Sequence, residues 1–293
     1  MTADFVAITG PGLSASINPF GAELSTLRDE AGRDLLWNGD PAFWAARAPI
    51  LFPIVGTLNG GAYRVGGETY ASPRHGFGRR SRFAVIEAMA DRAVFRLAAN
   101  DETRAVYPFE FNLDLTFAIT GRRLDVTAGL VNTGSGPLPA SFGFHPAFLW
   151  PLPYGAPRAE HRIVFAAEEE APVRRLDAEG LLEARPRPTP VQGSTLLLDD
   201  SLFTEDALIF TELAGRSLSY GAPDGPQLRI HYPDTPNLGL WSKPGAPFVC
   251  IEPWQGTSDP AGFSGEIWEK PGIERVGPNE RRLWRMGVEL TAA

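Results

Sequence analysis

Large apolar and polar residues alternate without interruption from Phe109 to Ile119. Phe109, Phe111, Leu113, Leu115, Phe117 and Ile119 fall on one parity, and Glu110, Asn112, Asp114, Thr116 and Ala118 on the other. A period of two predicts a strand with all six large side chains on one face. Thr120-Gly121-Arg122 interrupts the pattern, and Leu124, Val126, Ala128 and Leu130 then resume it, which predicts a hairpin. Shorter alternations recur elsewhere: Leu13/Ala15/Ile17, Leu218 to Tyr232 around Pro223-Asp224-Gly225, and Trp284/Met286/Val288/Leu290. Arg79 to Tyr107 is the longest stretch without Gly or Pro, and Phe83/Val85 and Phe95/Leu97 predict two strands around Asp91-Arg92. One short helix is expected at Pro41-Ala-Phe-Trp-Ala-Ala, opened by a proline in its first turn. Ala166 to Pro190, with its run of three glutamates and four prolines, predicts a solvated excursion.

Composition narrows the architecture. Thirty-one glycines and 27 prolines leave no room for long helices, and 18 Phe and 7 Trp supply bulk for a core. An all-β chain of short antiparallel strands follows. Strand signals occur at both ends and in the middle with no compositional break, so residues 1–293 are expected to form a single β-sandwich domain. The net charge of −8 has the wrong sign for a phosphate backbone and argues against a nucleic-acid partner. A single cysteine, Cys250, forms neither an internal disulfide nor a cysteine metal cluster, which fits a reducing cytoplasm. No apolar run approaches the ~20 residues that span a bilayer, and the opening Met1-Thr-Ala-Asp-Phe lacks the pattern of an export signal. A cytoplasmic protein without membrane partners is the expectation, either monomer or weak homodimer.

Four segments carry polar residues that a β-fold alone does not require. Ser72-Pro-Arg-His75-Gly-Phe-Gly-Arg79 sets a histidine among glycines, where backbone and ligand can approach closely, though an exposed turn has the same composition. Ser141-Phe-Gly-Phe-His145-Pro holds a histidine in an aromatic run, extended because a proline follows it; a core histidine with a hydrogen-bond partner is the other reading. Phe248-Val-Cys-Ile-Glu252-Pro-Trp254 ends a buried strand on a carboxylate, which is costly unless that group is paired or has chemistry to perform. Trp254 is either core or an apolar platform for a sugar face. Arg47 is the lone charge in Trp44 to Gly56 and reaches either a cleft or a buried acid. Two histidines, a glutamate and arginines among aromatic residues make a proton-transfer site, provided the fold brings them together.

These segments resemble the aldose 1-epimerase (mutarotase) family. The resemblance rests on Arg47 with Leu51-Phe-Pro, His75-Gly-Phe-Gly-Arg79, Gly143-Phe-His145-Pro, Glu205-Asp206-Ala-Leu-Ile-Phe, and Cys250-Ile-Glu252-Pro-Trp254-Gln-Gly256 with Asp259, in that order over roughly residues 10 to 290. It implies a large galactose mutarotase-like supersandwich that interconverts the α and β anomers of an aldose without metal or organic cofactor. By residue match, Glu252 is the general base and His145 the general acid. His75 and Arg79 bind and polarise the sugar, and Arg47, Asp206 and Trp254 complete its site; Glu205 competes with Asp206 for that role. Three other functions stay open: a hexose-6-phosphate 1-epimerase using Arg47, Arg74, Arg79 or Arg80, a glycosidase, and a catalytically silent carbohydrate-binding β-sandwich. A glycosidase needs two carboxylates and only Glu252 stands in a convincing motif. A silent binder has no use for an acid–base pair.

Overall fold

A computed structural model of the chain describes residues 5–292. The leading Met1–Asp4, on which the export-signal reading rests, lies outside the described residues. Two large antiparallel sheets dominate. The first has nine strands in the spatial order Thr195–Leu197, Arg162–Phe165, Ser217–Gly221, Leu228–His231, Arg281–Leu290, Arg123–Asn132, Phe111–Thr120, Arg92–Ala98 and Ala84–Ala88. The second runs Leu208–Phe210, Asn237–Trp241, Phe248–Gln255, Phe142–Phe144 and Ile50–Leu51, with Ala147–Leu149 also pairing against Phe248–Gln255. A three-stranded sheet, Val6–Thr9, Leu13–Asn18 and Glu23–Asp29, and two hairpin-sized pairs complete the chain.

The strongest alternation in the sequence forms the centre of the nine-stranded sheet. Thr120 pairs with Arg123 and Phe111 with Asn132, so the hairpin turns on Gly121-Arg122. Phe111, Leu113, Leu115, Phe117 and Ile119 are all buried, with Leu124, Val126, Ala128 and Leu130 beside them and Trp284, Met286, Val288 and Leu290 one strand further on. Each such side chain contributes roughly 1.5–3 kcal/mol relative to exposure. A one-residue slip would turn the whole set outward, so the register is tightly specified. The pairs around Asp91-Arg92 and around residues 222–227 are hairpins as the alternation predicts.

Two local expectations do not hold. Residues 41–46 form turns, not a helix, and the described α-helix is Asp101–Val106, capped by Asn100 and Thr103, which bond each other's backbone amides. The 166–190 excursion is not merely solvated: Val173, Leu176, Leu181 and Leu182 are buried, and Glu169 inside the acidic run accepts the Ala214 and Gly215 amides. Isolated bridges tie Arg174 to Ile209 on the edge strand of the six-stranded sheet and Leu182 to Pro260, and Leu176 and Leu182 share an apolar cluster with Ile209 and Trp254.

Candidate active site

Strand periodicity decides which side of the six-stranded sheet carries chemistry. Along Phe248–Gln255, Val249 and Ile251 point into the main core between the sheets. Phe248, Cys250 and Trp254 join smaller apolar clusters on the opposite face, and Glu252 falls on that same parity. The neighbouring strand behaves alike, with Leu238 and Leu240 inward and Trp241 outward. Phe142 and Phe144 belong to the core, so Gly143 and His145 face outward as well. The outer face therefore gathers His145, Glu252, Trp241 and Trp254 on adjacent strands.

These residues line a cleft of about 270 Å³ together with Trp44, Arg74, His75, Arg79, Leu176, Asp206 and Ala207. His145 Nε2 lies 3.1 Å from Glu252 Oε2, and both side chains are almost wholly buried. Trp44 stacks on the His145 ring with centroids 5.0 Å apart, and His75 meets it edge-on at 5.9 Å. Trp254 lies against two glycines: a Cβ on Gly143 would stand 2.7 Å from its Cδ1, and one on Gly239 would stand 2.5 Å from its outer ring atoms. Only hydrogen at both positions leaves space for the indole.

Burial governs the protonation of the pair. It pushes the Glu252 carboxyl well above its ordinary range, with Asp206 adding to the effect and Arg74 opposing it. It also drives the His145 imidazole down to about 3, assisted by Arg74 and Arg79. Both shifts run toward the uncharged forms, a neutral carboxyl facing a neutral imidazole across the 3.1 Å contact. His75 is held neutral too, by burial first and then by His145 and the two arginines.

His75 occupies the left-handed region, φ 67°, a conformation costing a non-glycine residue about 1–2 kcal/mol. Two bonds to Gly56 hold it there: its amide donates to Gly56 O at 2.8 Å, and the Gly56 amide donates to its Nδ1 at 3.0 Å. Gly76 beside it admits no side chain, because a Cβ would stand 2.2 Å from Phe52 O. With Nδ1 accepting, the ring proton sits on Nε2, and the Arg74 Nε–H faces that same nitrogen at 3.2 Å. Two N–H groups cannot bond each other. The Arg74 Nε–H is aimed at His75 Nε2, so with the ring proton on Nε2 the two groups oppose each other, and an acceptor oxygen beside them would relieve that opposition. Arg79 Nε and Trp254 Nε1 are further buried donors without partners among the described residues.

The fold brings together His75, Arg79, His145, Asp206, Glu252 and Trp254. It leaves Arg47 aside: its guanidinium packs against Gly39, its amide bonds Glu23, and it does not line the cleft. Of the competing acids, Asp206 is in the cleft while Glu205 is exposed beside Arg187. Trp44, Trp241 and Leu176 line the cleft without having been singled out. For Trp241 a signal existed, since it shares the outward parity of its strand with Gly239; for Trp44 and Leu176 none did. His145, Cys250 and Glu252 offer ligand atoms within 4.8 Å of one another. Burial, aided by Glu252, holds the Cys250 thiol well above its usual value.

The aldose 1-epimerase family model matches residues 4–273, and the chain belongs to that family. It is 31% identical over 276 residues to the chromosomal LacX protein of Lactococcus lactis subsp. lactis, covering 91% of this chain and 92% of LacX. Among solved structures it resembles a galactose mutarotase-like protein from Lactobacillus casei, with a TM-score of 0.90 and 28% identity over 98% of this chain and 100% of that one. A galactose mutarotase related enzyme from Lactobacillus acidophilus superposes with a TM-score of 0.89 and 27% identity, covering 98% and 97%. The fold is thus galactose mutarotase-like.

Two stability predictions follow from this geometry. Gly239→Ala should lower stability by about 1–3 kcal/mol through overpacking against Trp254 and alter the near-ultraviolet dichroism. Gly136→Ala, with nothing within 4 Å of its added methyl, should do neither. Equal urea midpoints for the two variants would contradict the tight seat of the indole. For Glu252, the raised folded-state value means its stability contribution is full below the ordinary value of 4.5 and is lost as pH rises through the folded value. Glu252→Gln should therefore melt at or above the wild-type temperature at pH 7 and lose that advantage at pH 4. A lower melting temperature at pH 7 would mean the carboxylate is ionised and stabilising.

Proposed function

We propose that the protein is an aldose 1-epimerase, interconverting the α and β anomers of an aldohexose by acid–base ring opening and closure. The observation that carries this reading is the buried His145–Glu252 contact at 3.1 Å on the floor of a cleft walled by Trp44, Trp241 and Trp254. Family membership supports it. Ring opening removes a proton from the C1 hydroxyl and adds one to the ring oxygen as the bond from C1 to that oxygen breaks. A pair holding a single proton has one acceptor and one donor, which is what the step consumes.

In this reading Glu252 takes the C1 proton and His145 protonates the ring oxygen. The shared proton must first cross from the carboxyl to Nε2 along their hydrogen bond. Arg74 favours the ionised Glu252 that this transfer creates and opposes the imidazolium beside it. The aldehyde rotates about the C1–C2 bond and recloses on its other face with the roles reversed. His75 Nε2–H and Arg74 Nε–H donate to a sugar oxygen, Arg79 and Asp206 hold hydroxyls, and Trp254 offers its indole to the apolar sugar face.

A second reading, a hexose-6-phosphate 1-epimerase, is favoured by one observation: neither Arg74 nor Arg79 makes a salt bridge among the described residues, leaving two uncompensated guanidinium groups at the cleft. We favour the unphosphorylated sugar because Arg79 belongs to the histidine motif.

Glu252→Gln and His145→Asn should each slow anomer exchange by at least ~10²-fold, the minimum expected of a positioned proton-transfer group; polarimetry retaining more than a tenth of the wild-type rate would contradict the role. The wild-type rate should show two limbs that belong to the coupled pair. Because His145 is driven down and Glu252 up, the acid limb should lie below the 6.5 of a free imidazole. An acid limb at or above that value would count against the assignment. Arg79→Ala should impair every aldose roughly ten- to a hundred-fold. If Arg74→Ala and high salt instead weaken only glucose 6-phosphate while sparing glucose and galactose, the phosphosugar reading is correct.

A further inference from the structure

Outside the cleft, one pair of charges is sealed more completely than any other salt bridge among the described residues. Lys270 Nζ lies 2.7 Å from Asp259 Oδ1, with side-chain exposures of 1% and 3%. Burying such a pair costs several kcal/mol per ion unless hydrogen bonds complete it, and an apolar pair of similar volume would often serve stability as well. Its connections are specific. Lys270 Nζ also donates to Thr257 O at 2.8 Å, and Asp259 Oδ2 accepts the Asn59 amide at 2.9 Å. The segment 56–59 is thereby tied to the segment 257–259, and two further bonds reinforce the tie: Thr57 N–H to Ser258 Oγ at 3.0 Å and Asp259 N–H to Thr57 O at 2.9 Å. Gly56 touches Ser258 so closely that a Cβ on it would stand 2.2 Å from Ser258 Oγ.

Each tied segment leads to one half of the cleft. Gly56 supplies the amide that bonds His75 Nδ1 and the carbonyl that holds the His75 backbone in its left-handed conformation. Residues 257–259 follow directly from the strand that carries Glu252. The Asp259 carbonyl also accepts the Leu182 amide, fixing the excursion that supplies Leu176 to the cleft wall. We propose that Lys270 and Asp259 are positioning residues: the buried ion pair holds Gly56, whose amide on Nδ1 keeps the His75 ring proton on Nε2 and the ring in fixed register with Glu252. The kinetic part of this inference rests on the aldose epimerase reading; the tautomer part does not. Burial, partly offset by Asp259, holds the Lys270 amine below its ordinary value, in keeping with a group placed here at a cost.

The test replaces both charges at once. Asp259→Leu combined with Lys270→Met leaves no lone buried charge, so the melting temperature should stay near that of the wild type. The bonds to Asn59 and Thr257 are gone, however, and anomer exchange should fall about 10–100-fold, chiefly in kcat. Nitrogen-15 spectra of the His75 ring should move from a single Nε2–H tautomer to a mixture. Ser258→Ala, a small change that removes only the Thr57 link, should shift the same resonances in the same direction and lower kcat by about tenfold; it keeps the test decisive should the double variant fail to fold. A wild-type His75 tautomer in the folded variants would overturn the proposal. If the wild-type protein shows no anomer exchange on any aldose, the epimerase reading fails while the tautomer measurement still decides the positioning role.

Discussion

A carboxyl group in the middle of a strand buried on both faces is the constraint on which this structure turns. Phe248–Gln255 has neighbours on each side within its sheet, the main core beneath it and apolar clusters above it, and water reaches almost none of it. Glu252 in that setting cannot ionise freely. It is tolerated because His145, just past the end of the neighbouring strand Phe142–Phe144 and on the same face, meets it at 3.1 Å.

The surroundings follow from keeping that pair dry yet reachable. Trp44 covers the imidazole, and Trp254 lies across a floor of two glycines. Arg79 Nε and Trp254 Nε1 are buried donors without partners among the described residues, and Arg74 Nε and His75 Nε2 oppose each other, so the cleft is rich in N–H groups. An oxygen-rich ligand matches that imbalance. Strain at His75 is held by bonds on both sides of Gly56, a local cost that fixes the ring before any ligand arrives.

Much of the architecture was legible because strands announce themselves by parity. The hairpin from Phe111 to Asn132 and the terminal strand Arg281–Leu290 follow the alternation residue by residue. Parity was less informative where both faces are covered, as along Phe248–Gln255, whose near-continuous apolar run hides which residues face the cleft. The 166–190 excursion misled for a different reason: its charges and prolines outweighed Val173, Leu176, Leu181 and Leu182, and composition does not register four anchors spaced irregularly through a loop. Residues 41–46 begin like a helix but remain a set of turns, with the Asp40 carboxylate and carbonyl accepting the amides of Ala42, Phe43 and Trp44.

What the sequence by itself determined is the all-β class and the family, and it singled out most of the polar side chains that the fold gathers in the cleft, since each of these lives in local pattern or in short motifs. Only the tertiary structure decided that Arg47 stands apart while Arg74 and Trp241 enter the cleft, and that Asp206 rather than Glu205 faces Glu252. It also set the burial that shifts His145 and Glu252 toward their uncharged forms. Position in space, burial and the sum of surrounding charges depend on segments far apart along the chain, and no local pattern encodes how those segments meet.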